Sequence, residues 1–136
     1  MNTTHSTWLA LRRAIADGLN GDASKVPSHV QQKVSERLQV ATRKNPALSS
    51  DHYSSLAGQL EYFDLRELQE TITNKALWPE FESRFGTKEA LATRFGQLAE
   101  LRNGIRHSRT VDEITRTDGE AALLWFRQVL ANLARR

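Results

Sequence analysis

The sequence predicts an all-α bundle, and three observations predict it. Apolar residues recur at steps of three and four along almost the whole chain, the spacing that lines one face of a helix. The periodic stretches are separated by glycine, proline and short polar breakers. No stretch alternates apolar and polar residues as a half-buried strand does, and no internal repeat or low-complexity segment appears. At 136 residues, with 39% hydrophobic and 26% charged side chains, the chain has the length and composition of a one-core globular protein.

The elements follow in order. Trp8, Leu11, Ile15 and Leu19 form a first stripe, closed by Gly18 and Gly21. Pro27 suits a helix first turn and introduces Val30, Val34, Leu38 and Ala41. Asn45-Pro46 and Ser49-Ser50-Asp51 interrupt, and Tyr53, Leu56, Leu60 and Phe63 give a third stripe. Asp64-Leu-Arg-Glu67 has capping-box spacing, a short acceptor followed three residues later by Glu, and opens a helix carrying Leu65, Leu68 and Ile72. Pro79 restarts the chain for Phe81 and Phe85, and Gly86 stops that turn. Thr87 caps a long helix with Leu91, Phe95, Leu98 and Ile105. Thr117-Asp-Gly-Glu120 reads as a second capping box, opening a last helix with Ala121, Leu124, Trp125 and Val129.

Inventory removes several chemistries. There is no cysteine, hence no disulfide scaffold, thiolate zinc site or cysteine nucleophile, which fits a reducing compartment. His5, His29, His52 and His107 fall in four segments without metal-ligand spacing. Glycine-rich phosphate loops and a G-x-S-x-G elbow are missing. No apolar run nears the roughly 20 residues of a membrane span, and the opening MNTTHSTW has neither the charged nor the apolar region of a secretory signal. A cytoplasmic protein is expected, with no cofactor and no metal.

The net charge of +3 is mildly basic and compatible with a nucleic-acid partner. Its distribution is uneven. Arg102, Arg106, Arg109 and Arg116, with His107, face only Asp112 and Glu113 across the same segment. The helix that begins after Thr87 places apolar residues at 91, 95 and 98, and the same spacing continues to 102 and 105. Ile105 obeys; position 102 is Arg. A guanidinium stays charged, so burial demands acceptors or an anion. The alternative is that its methylenes lie on Leu98 while the cation meets the helix C-terminal dipole in water. Arg102 and His107 are five apart and point about 140° from each other on an ideal helix. They converge if Gly104 breaks the helix, or if two copies of the segment meet across a two-fold axis. Asn103 adds an amide able to fix an imidazole tautomer or hold a phosphate oxygen. His107 is suited to moving protons near neutrality. Together these residues suit a phosphodiester.

Leu101-Arg102-Asn103-Gly104-Ile105-Arg106-His107 resembles the R-N-x-x-x-H form of the R-x(4–6)-H motif of the HEPN superfamily (higher eukaryotes and prokaryotes nucleotide-binding). Tyr62-Phe-Asp-Leu-Arg-Glu-Leu, Leu77-Trp-Pro-Glu-Phe, Phe85-Gly86 and the terminal helix are similar to small HEPN domains at the ends of larger bacterial proteins. The resemblance covers about residues 56–133. Many such domains carry Pro after the Arg-Asn pair, where this chain has Gly104.

The resemblance implies a HEPN-like helical bundle over 51–136, with 1–50 as an N-terminal helical extension, and a homodimer whose two motifs form one site. It implies a metal-independent endoribonuclease in which Arg102, Asn103 and His107 are catalytic and the product is a 2′,3′-cyclic phosphate. Arg106 and Arg109 are expected to hold the RNA backbone. A toxin-like or phage-defence effector with an antitoxin or a fused regulatory domain fits this pattern. A non-catalytic dimerisation or nucleic-acid-binding module is the other form such domains take.

Overall fold

The computed structural model describes residues 3–47, 53–106 and 112–133, and among them it is all-α, with seven helices and no strand. These are α1 (Thr3–Gly18), α2 (Ser28–Lys44), α3 (Leu56–Leu60), α4 (Leu65–Thr73), α5 (Glu82–Phe85), α6 (Lys88–Arg106) and α7 (Glu113–Leu133), with 3-10 turns at Ala23–Lys25 and Trp78–Glu80. No described helix is long and apolar enough to cross a membrane. Packing divides the chain into two compact units, Arg12–Glu80 and Met1–Leu11 with Phe81–Arg136.

In the unit Arg12–Glu80, α1 ends where Asn20 and Gly21 take positive φ, 54° and 70°, and the Gly21 N–H donates to the Ala16 carbonyl at 2.9 Å. Val30 and Val34 of α2 are buried, as are Leu56 and Leu60 of α3 and Leu65, Leu68 and Ile72 of α4. The Asp64 capping box forms as its spacing predicts: the Glu67 N–H donates to Asp64 Oδ1 at 2.8 Å, and the Asp64 N–H donates to Glu67 Oε1 at 2.9 Å. The Glu67 carboxylate is 3% exposed and receives both terminal nitrogens of Arg37 from α2, one at 2.7 Å. Arg37 also donates to the Tyr62 carbonyl at 2.8 Å and lies 3.5 Å from Asp64. One guanidinium thus ties α2 to the start of α4. Burial pushes the Glu67 carboxyl up, but the Arg37 and Asp64 hydrogen bonds outweigh it and hold the group below its usual range.

In the other unit, the first stripe keeps its predicted register at Leu11, as it does at Ile15 of α1 and at Leu19, and departs from it only at its first position. Thr7 is buried with Leu11, while Trp8 is only half-buried. Gly86, at φ +84°, stops α5 as expected, and the Thr87 hydroxyl accepts from the Ala90 N–H at 3.1 Å to start α6. Helices α6 and α7 pack along each other, and α5 packs on both. The core between them is aromatic: Phe95 meets Phe126 edge-on at 5.0 Å, and Phe85 lies 6.2 Å from Trp125.

The last helix starts earlier than the sequence suggests. Asp112 caps it, accepting from the Thr115 N–H and hydroxyl at 2.8 Å each. Residues 117–120 therefore lie inside α7 rather than at its N-terminus. Two short polar residues compete for the cap, and packing selects the first. A Cβ built on Gly119 would stand 2.7 Å from Leu101 Cβ, so Gly119 is where the backbone of α7 closes on α6. Its role is small size within a helix.

Candidate functional site

Helix α6 carries the candidate residues. Leu91, Phe95 and Leu98 are buried along one stripe, and Arg102 follows them in register, half-buried. Its Nε is shielded from solvent and has no hydrogen-bond partner among the described residues. An unsatisfied buried donor costs about 1–3 kcal/mol, more when the group is charged. The guanidinium therefore retains hydrogen-bonding capacity that the described protein leaves unused. Arg12 Nε in the other unit shares this condition, but no amide–imidazole sequence follows it.

Asn103 is half-buried beside Arg102. Of the two routes to convergence, a break at Gly104 is not the one taken within the described residues: α6 continues through Gly104 to Arg106, and Gly104 is buried. Leu101, three residues earlier and on the same side, abuts Gly119 of α7. His107 and Arg109 lie outside the described residues, as does the side chain of Arg106, whose backbone closes α6.

A groove of about 380 Å³ opens along α6 and α7, lined by Thr93, Gly96, Gln97, Glu100, Thr115 and Asp118. Its charged lining residues are both acidic, the wrong sign for a phosphate backbone, and Arg102 is not among its walls. Trp125 is half-buried against Phe85 and Phe126, with Arg94 lying 5.9 Å from its ring centroid. Phe126 is fully buried. Both are chiefly core.

The contact that sequence reading missed is Arg37–Glu67, thirty residues apart. Glu67 was legible as a capping residue, but nothing local announces its arginine. His29 is 60% exposed and meets Glu70 at 2.7 Å, a surface pair. No group of three or more His, Cys, Asp or Glu placed to hold a metal ion occurs among the described residues.

Comparison of the chain with family models, with curated proteins and with solved structures finds no match.

Proposed function

We propose that this chain is a HEPN-type endoribonuclease acting without a metal, as a homodimer in which the Arg102–His107 segments of two copies form one site. The observation that carries the reading is Arg102: a permanent cation in the apolar stripe of α6, its Nε buried and unpaired among the described residues. A phosphodiester supplies the acceptors that the described protein does not. In the reaction, a ribose 2′-oxygen attacks the adjacent phosphorus and the P–O5′ bond breaks. The His107 imidazole of one copy takes the 2′-hydroxyl proton, and that of the other protonates the departing 5′-oxygen. Arg102 neutralises charge building on the non-bridging oxygens, and Asn103 orients the imidazole or the phosphate. The products are a 2′,3′-cyclic phosphate and a 5′-hydroxyl. Arg106 and Arg109 hold the flanking backbone. A cytoplasmic toxin or defence effector, restrained by an antitoxin or fused domain, is the setting this activity suits.

The test is cleavage of RNA by purified chain in EDTA, with end analysis, comparing wild type with His107→Ala and Arg102→Met. Cleavage to cyclic-phosphate ends that both substitutions abolish, with folding intact, supports the assignment. A folded, dimeric wild type that binds RNA without cutting it assigns the motif to a non-catalytic binding module instead.

A further inference from the structure

The unit Arg12–Glu80 contains an open cavity of about 370 Å³ that the proposed reaction does not use. One face of α2 forms its main wall: Gln31, Val34, Ser35 and Leu38 stand at i, i+3, i+4 and i+7, along one side of the helix. Ser24, from the 3-10 turn, completes it together with Tyr53 and Gln59. No charged side chain is among the described walls. Val34 is buried, and with Leu38 and the Tyr53 ring it makes the lining partly apolar. That ring is held edge-on by Tyr62 at 5.3 Å, with the two hydroxyl oxygens 3.2 Å apart.

The polar groups of the cavity offer one kind of contact. Gln31 Nε2 donates to the Val26 carbonyl at 2.6 Å and to the Ser24 carbonyl at 3.2 Å, so its amide stands only one way round. Gln59 Nε2 donates to the Tyr53 carbonyl at 3.1 Å. In both side chains the nitrogen is committed to the backbone, and the amide oxygen has no partner among the described residues. The Ser35 hydroxyl has none there either. Two oriented acceptors and one hydroxyl, beside apolar walls and an aromatic ring, match a flat ligand that brings N–H donors. A phosphate or carboxylate finds no cation among these walls.

We infer that this cavity binds an amino-substituted purine base, as in adenosine or guanosine. The N–H groups of the base donate to Gln31 Oε1 and Gln59 Oε1, and the Ser35 hydroxyl donates to a ring nitrogen. The fused rings supply the flat apolar area that Val34, Leu38 and Tyr53 cover. The volume falls within the range of small-molecule pockets, about 300–1,000 Å³. Ribose and phosphate stay outside, in solvent. The base comes from a free nucleoside or from single-stranded RNA, where contact with an aromatic ring is a common grip. The inference stands whether or not Arg102 and His107 cleave RNA, because it uses neither residue.

Calorimetric titration of adenosine and of guanosine into the full chain tests it. Saturable binding of at least one is expected, with a Kd below about 1 mM, because a base offers only about ten non-hydrogen atoms. Purine riboside keeps the rings and lacks the amino group, and should bind at least about tenfold more weakly, since the acceptors are then left unpaired. Ser35→Phe, at an exposed helical position, fills the cavity and should remove binding with circular dichroism unchanged. Gln59→Met keeps the side chain's length, removes one acceptor and should weaken binding about fivefold. A short oligoriboadenylate separates the two sources. Binding tighter than that of adenosine, and removed by Ser35→Phe, assigns the base to RNA; binding no tighter assigns it to a free nucleoside. The inference is overturned if the folded chain shows no saturable binding of either nucleoside, or if purine riboside binds as well as they do. It is overturned equally if Ser35→Phe and Gln59→Met both leave the affinity unchanged.

Discussion

Arg37 and Arg102 sit on helices in different units, each at a position that pattern alone would treat as partly buried, and their surroundings differ completely. Arg37 has every demand met: Glu67 accepts from both terminal nitrogens, the Tyr62 carbonyl accepts from one of them, and Asp64 lies close by. Arg102 has its Nε covered and unpaired among the described residues. A cation whose acceptors the fold supplies is part of the scaffold. Arg102 differs in keeping a covered donor that the described residues leave without an acceptor, a condition it shares with Arg12.

The comparison breaks most directly through activity. His107→Ala should reduce metal-free RNA cleavage by about 10²–10⁴-fold, the usual contribution of a positioned acid or base, leaving the melting temperature unchanged. Arg102→Met should also abolish cleavage while leaving stability equal or higher, since it removes an unpaired buried donor. A large loss of stability in Arg102→Met would show that the arginine is structural after all, and the contrast with Arg37 would disappear.

Next comes the satisfied pair. Glu67→Ala removes the acceptor for Arg37 and half of the capping box. The side chain of Arg37 is 38% exposed, so the loss should fall at or below the low end of that for breaking a buried pair, about 2–3 kcal/mol by urea denaturation. Its pH signature has a definite sign. The carboxyl of Glu67 is held below its unfolded value of about 4.3, so its stabilisation is present above that pH and lost as pH falls through the folded value. The carboxyls of Glu70, held down chiefly by His29, and of Asp112, held down chiefly by the Thr115 N–H, act in the same direction. Acid melts of wild type and Glu67→Gln should therefore converge as the pH drops below about 4. Parallel curves would remove the pair from the account.

Smaller effects sharpen the description of the frame that holds Arg102. Gly119→Ala places a methyl 2.7 Å from Leu101 Cβ and should destabilise by about 1–3 kcal/mol, with the α6–α7 contact forced apart. Gly96→Ala on the open groove meets nothing within 4 Å and should stabilise by about 0.5–1 kcal/mol through helix propensity. Two glycines in adjacent helices are thus expected to respond with opposite sign in the same thermal melt.

Local signals were readable because their physics is local. The helical periodicity, the Asp64–Glu67 capping box, the Gly86 stop and the Thr87 cap each depend on residues within a turn of one another, and each appears where the sequence places it. The misplaced start of α7 has a different origin: Asp112 and Thr117 both offer a cap, and Asp112 is the one met by the N–H and hydroxyl of the residue three positions on. Gly119 reads in sequence as part of a capping box, whereas close approach of α6 and α7 uses it for size.

By itself, then, the sequence determined the helical class, most helix ends, and the presence of an arginine where an aliphatic side chain belongs. Only the tertiary structure decided which arginine is satisfied, because acceptors thirty residues away leave no local trace, and which face of α7 stays uncovered, because coverage belongs to the packed unit and not to the helix.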